Sequence, residues 1–76
     1  MSIKAYVLAN VEVGSGAGVL EDLLAIEGVK SAENVTGPFD VIAVVEVDDT
    51  ATLGELLISK IEAIESIAST LTCVVT

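Results

Sequence analysis

The 76 residues predict one α+β domain, residues 1–76, with its elements in the order β-α-β-β-α-β. Three observations carry that prediction. Apolar residues alternate from Ile3 to Val13, the period of a strand with one face buried. Two stretches, Val19 to Ile26 and Leu53 to Ile67, repeat their apolar residues at helical spacing instead. Between them, Val41 to Val47 is an almost unbroken β-branched run, too short and too rich in valine for an independent helix.

Taken in order, the first strand sets Ile3, Ala5, Val7, Ala9, Val11 and Val13 on one side. Lys4, Tyr6, Leu8, Asn10 and Glu12 fall on the other. Gly14-Ser15-Gly16-Ala17-Gly18 then breaks the alternation. A phosphate-binding loop would occupy such a junction, but a dinucleotide fingerprint needs its third glycine where Val19 stands, and no Gly-Lys-Ser/Thr follows. The glycines are expected to form a flexible connection to a helix carrying Val19, Leu20, Leu23, Leu24 and Ile26, with Gly28 as its stop.

Val29 to Thr36 is a more polar strand, and Gly37-Pro38-Phe39-Asp40 reads as the turn into Val41 to Val47. Asp48-Asp49-Thr50 offers helix caps, and Thr52 with Glu55 fits a capping box. The second helix is expected to bury Leu53, Leu56, Leu57, Ile61, Ile64 and Ile67, with Glu55, Lys60, Glu62 and Glu65 in water. Thr70 to Thr76 closes the chain as a strand. Strand–helix–strand crossovers of this length place both helices on one face of a four-stranded sheet.

That arrangement leaves one face uncovered. Val41, Ala43, Val45 and Val47 lie on one side of the third strand, but Ile42 and Val44 on the other are apolar too, as are Tyr6 and Leu8. Two helices cover only one side, so a second copy, packed sheet against sheet into a barrel-like dimer, is the expected cover. Composition agrees. A chain this short buries only about 60% of its unfolded surface, yet 53% of its residues are hydrophobic and its mean hydropathy is +0.80. One cysteine and no histidine leave neither an intrachain disulfide nor a Cys/His zinc site to staple the fold.

The same composition excludes several functions. Three lysines, no arginine and twelve carboxylates give a net charge of −9, which repels nucleic acid and anionic membrane surfaces. Uncharged runs stop well short of the roughly 20 apolar residues a bilayer requires. The first residues enter a strand pattern without a leader-like segment, so a cytoplasmic location is expected. Without histidine no catalytic triad can form, and Cys73, within an apolar strand, is expected to be a buried, inert thiol. No calcium-loop spacing is present, and no metal or cofactor is implied. Tyr6, Asn10 and Glu46 are the only candidates for chemistry on the sheet face. The chain is therefore expected not to be an enzyme.

Two features suit binding instead. The N–H groups of the Gly37–Asp40 turn and the hydroxyls of Thr70 and Thr72, which share one face of the last strand, could hold a carboxylate or an amino group. Taken alone, those residues read more readily as an ordinary turn and an ordinary threonine-rich strand.

These residues also carry a family resemblance. Lys4 to Val11 and Val19 to Val29 resemble the first strand and helix of the effector-binding (RAM) domain of Lrp/AsnC transcriptional regulators. Thr36-Gly37-Pro38-Phe39-Asp40 is similar to that family's Thr-Gly-x-Tyr/Phe-Asp signature, and Thr70-Leu71-Thr72 to its closing Thr-x-Thr strand. The resemblance implies a ferredoxin-like fold, sheet-to-sheet dimers joined into octamers or decamers, and an amino-acid effector bound between dimers. It nominates Gly37, Pro38, Phe39, Asp40, Thr70 and Thr72 as ligand-binding residues. Three departures accompany it. No helix-turn-helix half is present, so direct DNA binding is not implied. Ala68 and Ser69 stand where a basic residue is frequent, and Pro38 removes one N–H from the turn. The expected function is a sensing domain that oligomerises and modulates full-length regulators by mixed assembly. The alternatives are an assembly module without a ligand, and a small dimeric α+β barrel enzyme.

Overall fold

The computed structural model describes residues 2–76; Met1, within the expected domain bounds, lies outside the described residues. The elements are β1 (Ile3–Val11), α1 (Gly16–Leu24), β2 (Val29–Asn34), β3 (Val41–Val47), α2 (Thr50–Glu55), a π-helical turn continuing α2 (Leu56–Ile61), and β4 (Ile67–Val74). The strands form one antiparallel sheet in the order β2-β3-β1-β4, the ferredoxin-like arrangement. With extents of 37 × 22 × 17 Å the molecule is two layers thick, one sheet and one layer of helix.

The alternation in the sequence decides what is buried. Ala5, Val7 and Ala9 of β1 pair with Val45, Ala43 and Val41 of β3, and all six sit beneath the helices. Val19 and Leu23 of α1, Leu53 of α2, and Leu56 and Ile61 of the π turn close the core over them. No polar or charged side chain is buried among the described residues, so the core needs no internal hydrogen bonds.

The opposite face is open. Register places Leu71, Leu8 and Ile42 in one cross-strand row and Cys73, Tyr6 and Val44 in the next. These six side chains are half-buried or exposed, with Leu71 at 52%. Lys4 faces Glu46 at one end of the rows, where its ammonium lies 5.4 Å from the Tyr6 ring centroid. Asn10 donates to the Ser69 hydroxyl at the other end. Among the described residues no helix is long and apolar enough to cross a membrane.

Several boundaries differ from the sequence expectation. β1 ends at Val11, and Val13 is wholly exposed in a turn where Gly14 adopts φ 85°. α1 takes Gly16 and Gly18 into its first turn, so part of the glycine stretch is helix. The helix stops at Leu24, well before Gly28, whose φ of 102° serves the corner into β2. Asp49 caps α2 by accepting from the Thr52 N–H at 2.7 Å, so the Thr52/Glu55 box is not used. The helical run ends at Ile61. Ile64 and Ile67 belong to the following turn and to β4, because isoleucine at three-residue spacing serves a turn and a strand as readily as a helix. Cys73 is exposed on the open face, not buried within the chain.

Candidate functional site

The hairpin turn is fastened to the neighbouring strand. The Asp40 N–H donates to the Ala9 carbonyl at 2.9 Å, and its carboxylate accepts from the Val11 N–H at 3.0 Å. The β1–β4 register shifts between Asn10 and Val11, so the carboxylate serves an N–H beside that irregularity. The Val35 N–H closes the turn on the Asp40 carbonyl at 2.8 Å. Gly37 and Pro38 stand exposed beyond the sheet, and Phe39 is half-buried.

Thr70 pairs with Ala9, and Ala9 pairs with Val41, the residue after Asp40. The turn and Thr70 therefore lie at the same end of the sheet, separated by β1. That is two strand spacings, about 10 Å between backbones. Thr72 pairs with Val7, two residues further along. Both threonines are half-buried on the helix side of β4, sharing a face as their spacing requires. Thr70 also lines a small cleft of about 150 Å³ with Glu62, Ile67, Ala68 and Ser69.

Neither of the two cavities described contains Gly37–Asp40. Of the six nominated residues, which share one end of the molecule, Thr70 alone lines a described cavity. Glu46 lies half-buried at the far end of the open face, opposite Lys4, and also lines the larger of the two cavities described, whereas Tyr6 and Asn10 on that face line neither. Among the described residues no group of three or more His, Cys, Asp or Glu stands close enough to hold a metal ion.

The larger of the two cavities described, about 700 Å³, opens at the opposite end of the sheet, between the α1–β2 corner and α2 with its π turn. Sequence reasoning missed it. Its one signal was Gly28, whose left-handed corner between α1 and β2 forms part of the lining.

The family model for the Lrp/AsnC ligand binding domain matches residues 4–76. The hypothetical protein PHS023 from Pyrococcus horikoshii is 32% identical with a TM-score of 0.93, over 97% of this chain and 89% of that one. FFRP-DM1 is also 32% identical, with a TM-score of 0.94, over 97% of this chain and 99% of that one. The transcriptional regulator NMB0573 from Neisseria meningitidis, solved as a complex with L-Met, shares the fold at 10% identity and a TM-score of 0.87. There 97% of this chain covers 49% of that one, so this chain spans about half of that regulator. Among curated proteins, none matches the sequence.

Proposed function

Since the chain belongs to the Lrp/AsnC ligand-binding domain family, we propose that it is a non-catalytic sensor that binds a small amino-acid-like effector between its own copies. Acting in the cytoplasm, it modulates transcriptional regulators of the same family by mixed assembly. The observation that carries this reading is the family match across residues 4–76, on a sheet whose second face has no intrachain cover.

Sheet-to-sheet pairing would cover Tyr6, Leu8, Ile42, Val44, Leu71 and Cys73. A large apolar side chain removed fully from water contributes about 1.5–3 kcal/mol, and these begin partly covered, so each contributes about half that. Thr70 and Thr72 point away from that face, and the Gly37–Asp40 turn projects past its end. These six residues would therefore stay available where dimers meet in an octamer or decamer. In this reading Asp40 holds the turn in shape through Val11 and Ala9, while the free turn N–H groups and the threonine hydroxyls meet the effector. The L-Met bound by the distant regulator NMB0573 supports an amino acid as the ligand class.

A thermal-shift screen of the purified oligomer against the common amino acids tests the proposal. A ligand bound only by the folded form raises the midpoint with its occupancy. Flat curves for every amino acid at millimolar concentration would count against it.

A further inference from the structure

The cavity at the opposite end of the sheet lies outside the proposed effector site, and its chemistry is specific. Its floor is apolar, built from Ile26, Val47 and Leu56. Its lining carries Lys30 and Lys60, two of only three lysines in the chain, together with Glu27, Glu46, Asp48 and Glu55. None of these six charged side chains takes part in a side-chain hydrogen bond among the described residues. Charges of both signs therefore stand around one concave surface with their hydrogen-bonding capacity uncommitted.

The walls of the cavity are fixed. Gly28 holds φ 102°, its carbonyl accepts from the Glu46 N–H at 2.9 Å, and a Cβ on it would come within 2.7 Å of Leu56 Cδ1. The α1–β2 corner is thereby locked against the start of the π turn. Thr52, Leu56 and Lys60 recur every fourth residue and line the facing wall. A preformed cleft of about 700 Å³ has the size of a small-molecule site, and little ordering is left for a ligand to impose.

The geometry points to this groove as a second ligand site, intrachain and separate from the turn and β4, for a zwitterion with an apolar side chain. A simple anion would meet four carboxylates, and a simple cation would meet two lysines. A molecule bearing both charges pairs its carboxylate with Lys30 and Lys60 and its ammonium with the acidic rim, while the side chain covers Ile26, Val47 and Leu56.

The test is a titration of the ¹⁵N-labelled full chain, in its native assembly, with L-leucine, followed by amide resonances. Isocaproate, lacking the ammonium, and L-leucinamide, lacking the carboxylate, serve as controls. Shifts at Ala25–Lys30 and Asp48–Leu56 are expected, weakened at least about tenfold for either control, a loss of about 1.4 kcal/mol. They should be lost in the Lys30→Gln/Lys60→Gln double variant and kept in Thr72→Val. Shifts confined to residues 35–40 and β4 would overturn the groove and leave the effector site standing. Groove shifts that persist in the double variant would overturn the zwitterion assignment. No shift anywhere would overturn the groove, and the thermal screen judges the effector site separately.

Discussion

The Asp40 carboxylate accepts the Val11 N–H at 3.0 Å, beside the register shift of β1 against β4. One side chain thereby couples the hairpin turn to the strand that separates it from Thr70. Asp40→Ala removes that acceptor. A hydrogen bond to a charged group in an exposed setting is worth about 1 kcal/mol, so the thermal midpoint should fall by about 4–8 °C. Asp40→Asn retains an oxygen acceptor and should fall less. Melting curves at one fixed protein concentration make the comparison.

Two glycines should respond in opposite directions to the same substitution. Gly28→Ala places a methyl group against Leu56 Cδ1 at a φ of 102°, and a left-handed backbone alone costs roughly 1–2 kcal/mol for a residue with a Cβ. Gly18→Ala adds its methyl in α1 where nothing lies within 4 Å, and should stabilise by about 0.5–1 kcal/mol. Denaturant midpoints for the two variants decide it. Equal destabilisation would contradict the described geometry.

The hydrogen bond from the Thr52 N–H holds the Asp49 carboxyl below the usual aspartate range. The Thr52 hydroxyl adds to the effect, and slight desolvation opposes it. A pKa lowered by folding means that the unfolded chain takes up its proton first. The cap therefore contributes fully above the unfolded value, and the contribution is lost as pH falls through the folded one. Asn caps a helix as well as Asp. Asp49→Asn should leave stability at neutral pH nearly unchanged while flattening the acid limb of the stability profile, read as denaturant midpoint against pH.

Self-association should fail when a charge enters the open face. Leu71→Glu sets a carboxylate in the row with Leu8 and Ile42, where a facing sheet would bury it unpaired. Light scattering should then report the monomer mass while circular dichroism keeps its α+β form. For the unchanged chain, added salt should strengthen association, because each copy carries a net charge of −9 and screening relieves their repulsion.

Strong periodicity made most of the fold legible. β3 spans Val41–Val47 as its β-branched run predicts, and the alternation in β1 separates the core row of Ala5, Val7 and Ala9 from the open row of Tyr6 and Leu8. Legibility failed where the same residue suits two structures. Ile64 and Ile67 continue a helical stripe on paper, yet one belongs to a turn and the other opens β4. Gly16 and Gly18 look like loop and are helix, because α1 gains more from burying Val19 and Leu23 than two glycines cost it. Of the site, spacing alone put Thr70 and Thr72 on one face. That the face is the helix side follows only from pairing with Ala9 and Val7, and a hydrogen bond such as Asp40 to Val11 leaves no periodic trace.

The π turn has a consequence for how this chain can vary in length. Leu56 and Ile61 are both core residues five positions apart, an interval that an ordinary helix would splay to different sides. The wide turn, closed by the Glu62 N–H on the Leu57 carbonyl at 2.9 Å, brings them back over one another. The segment thus carries one residue of slack. Deleting Ser59 would set the two core side chains four apart, let the backbone relax to regular α geometry, and leave the interior as it was. Only the surface would change its aim, and with it the direction in which Lys60 points.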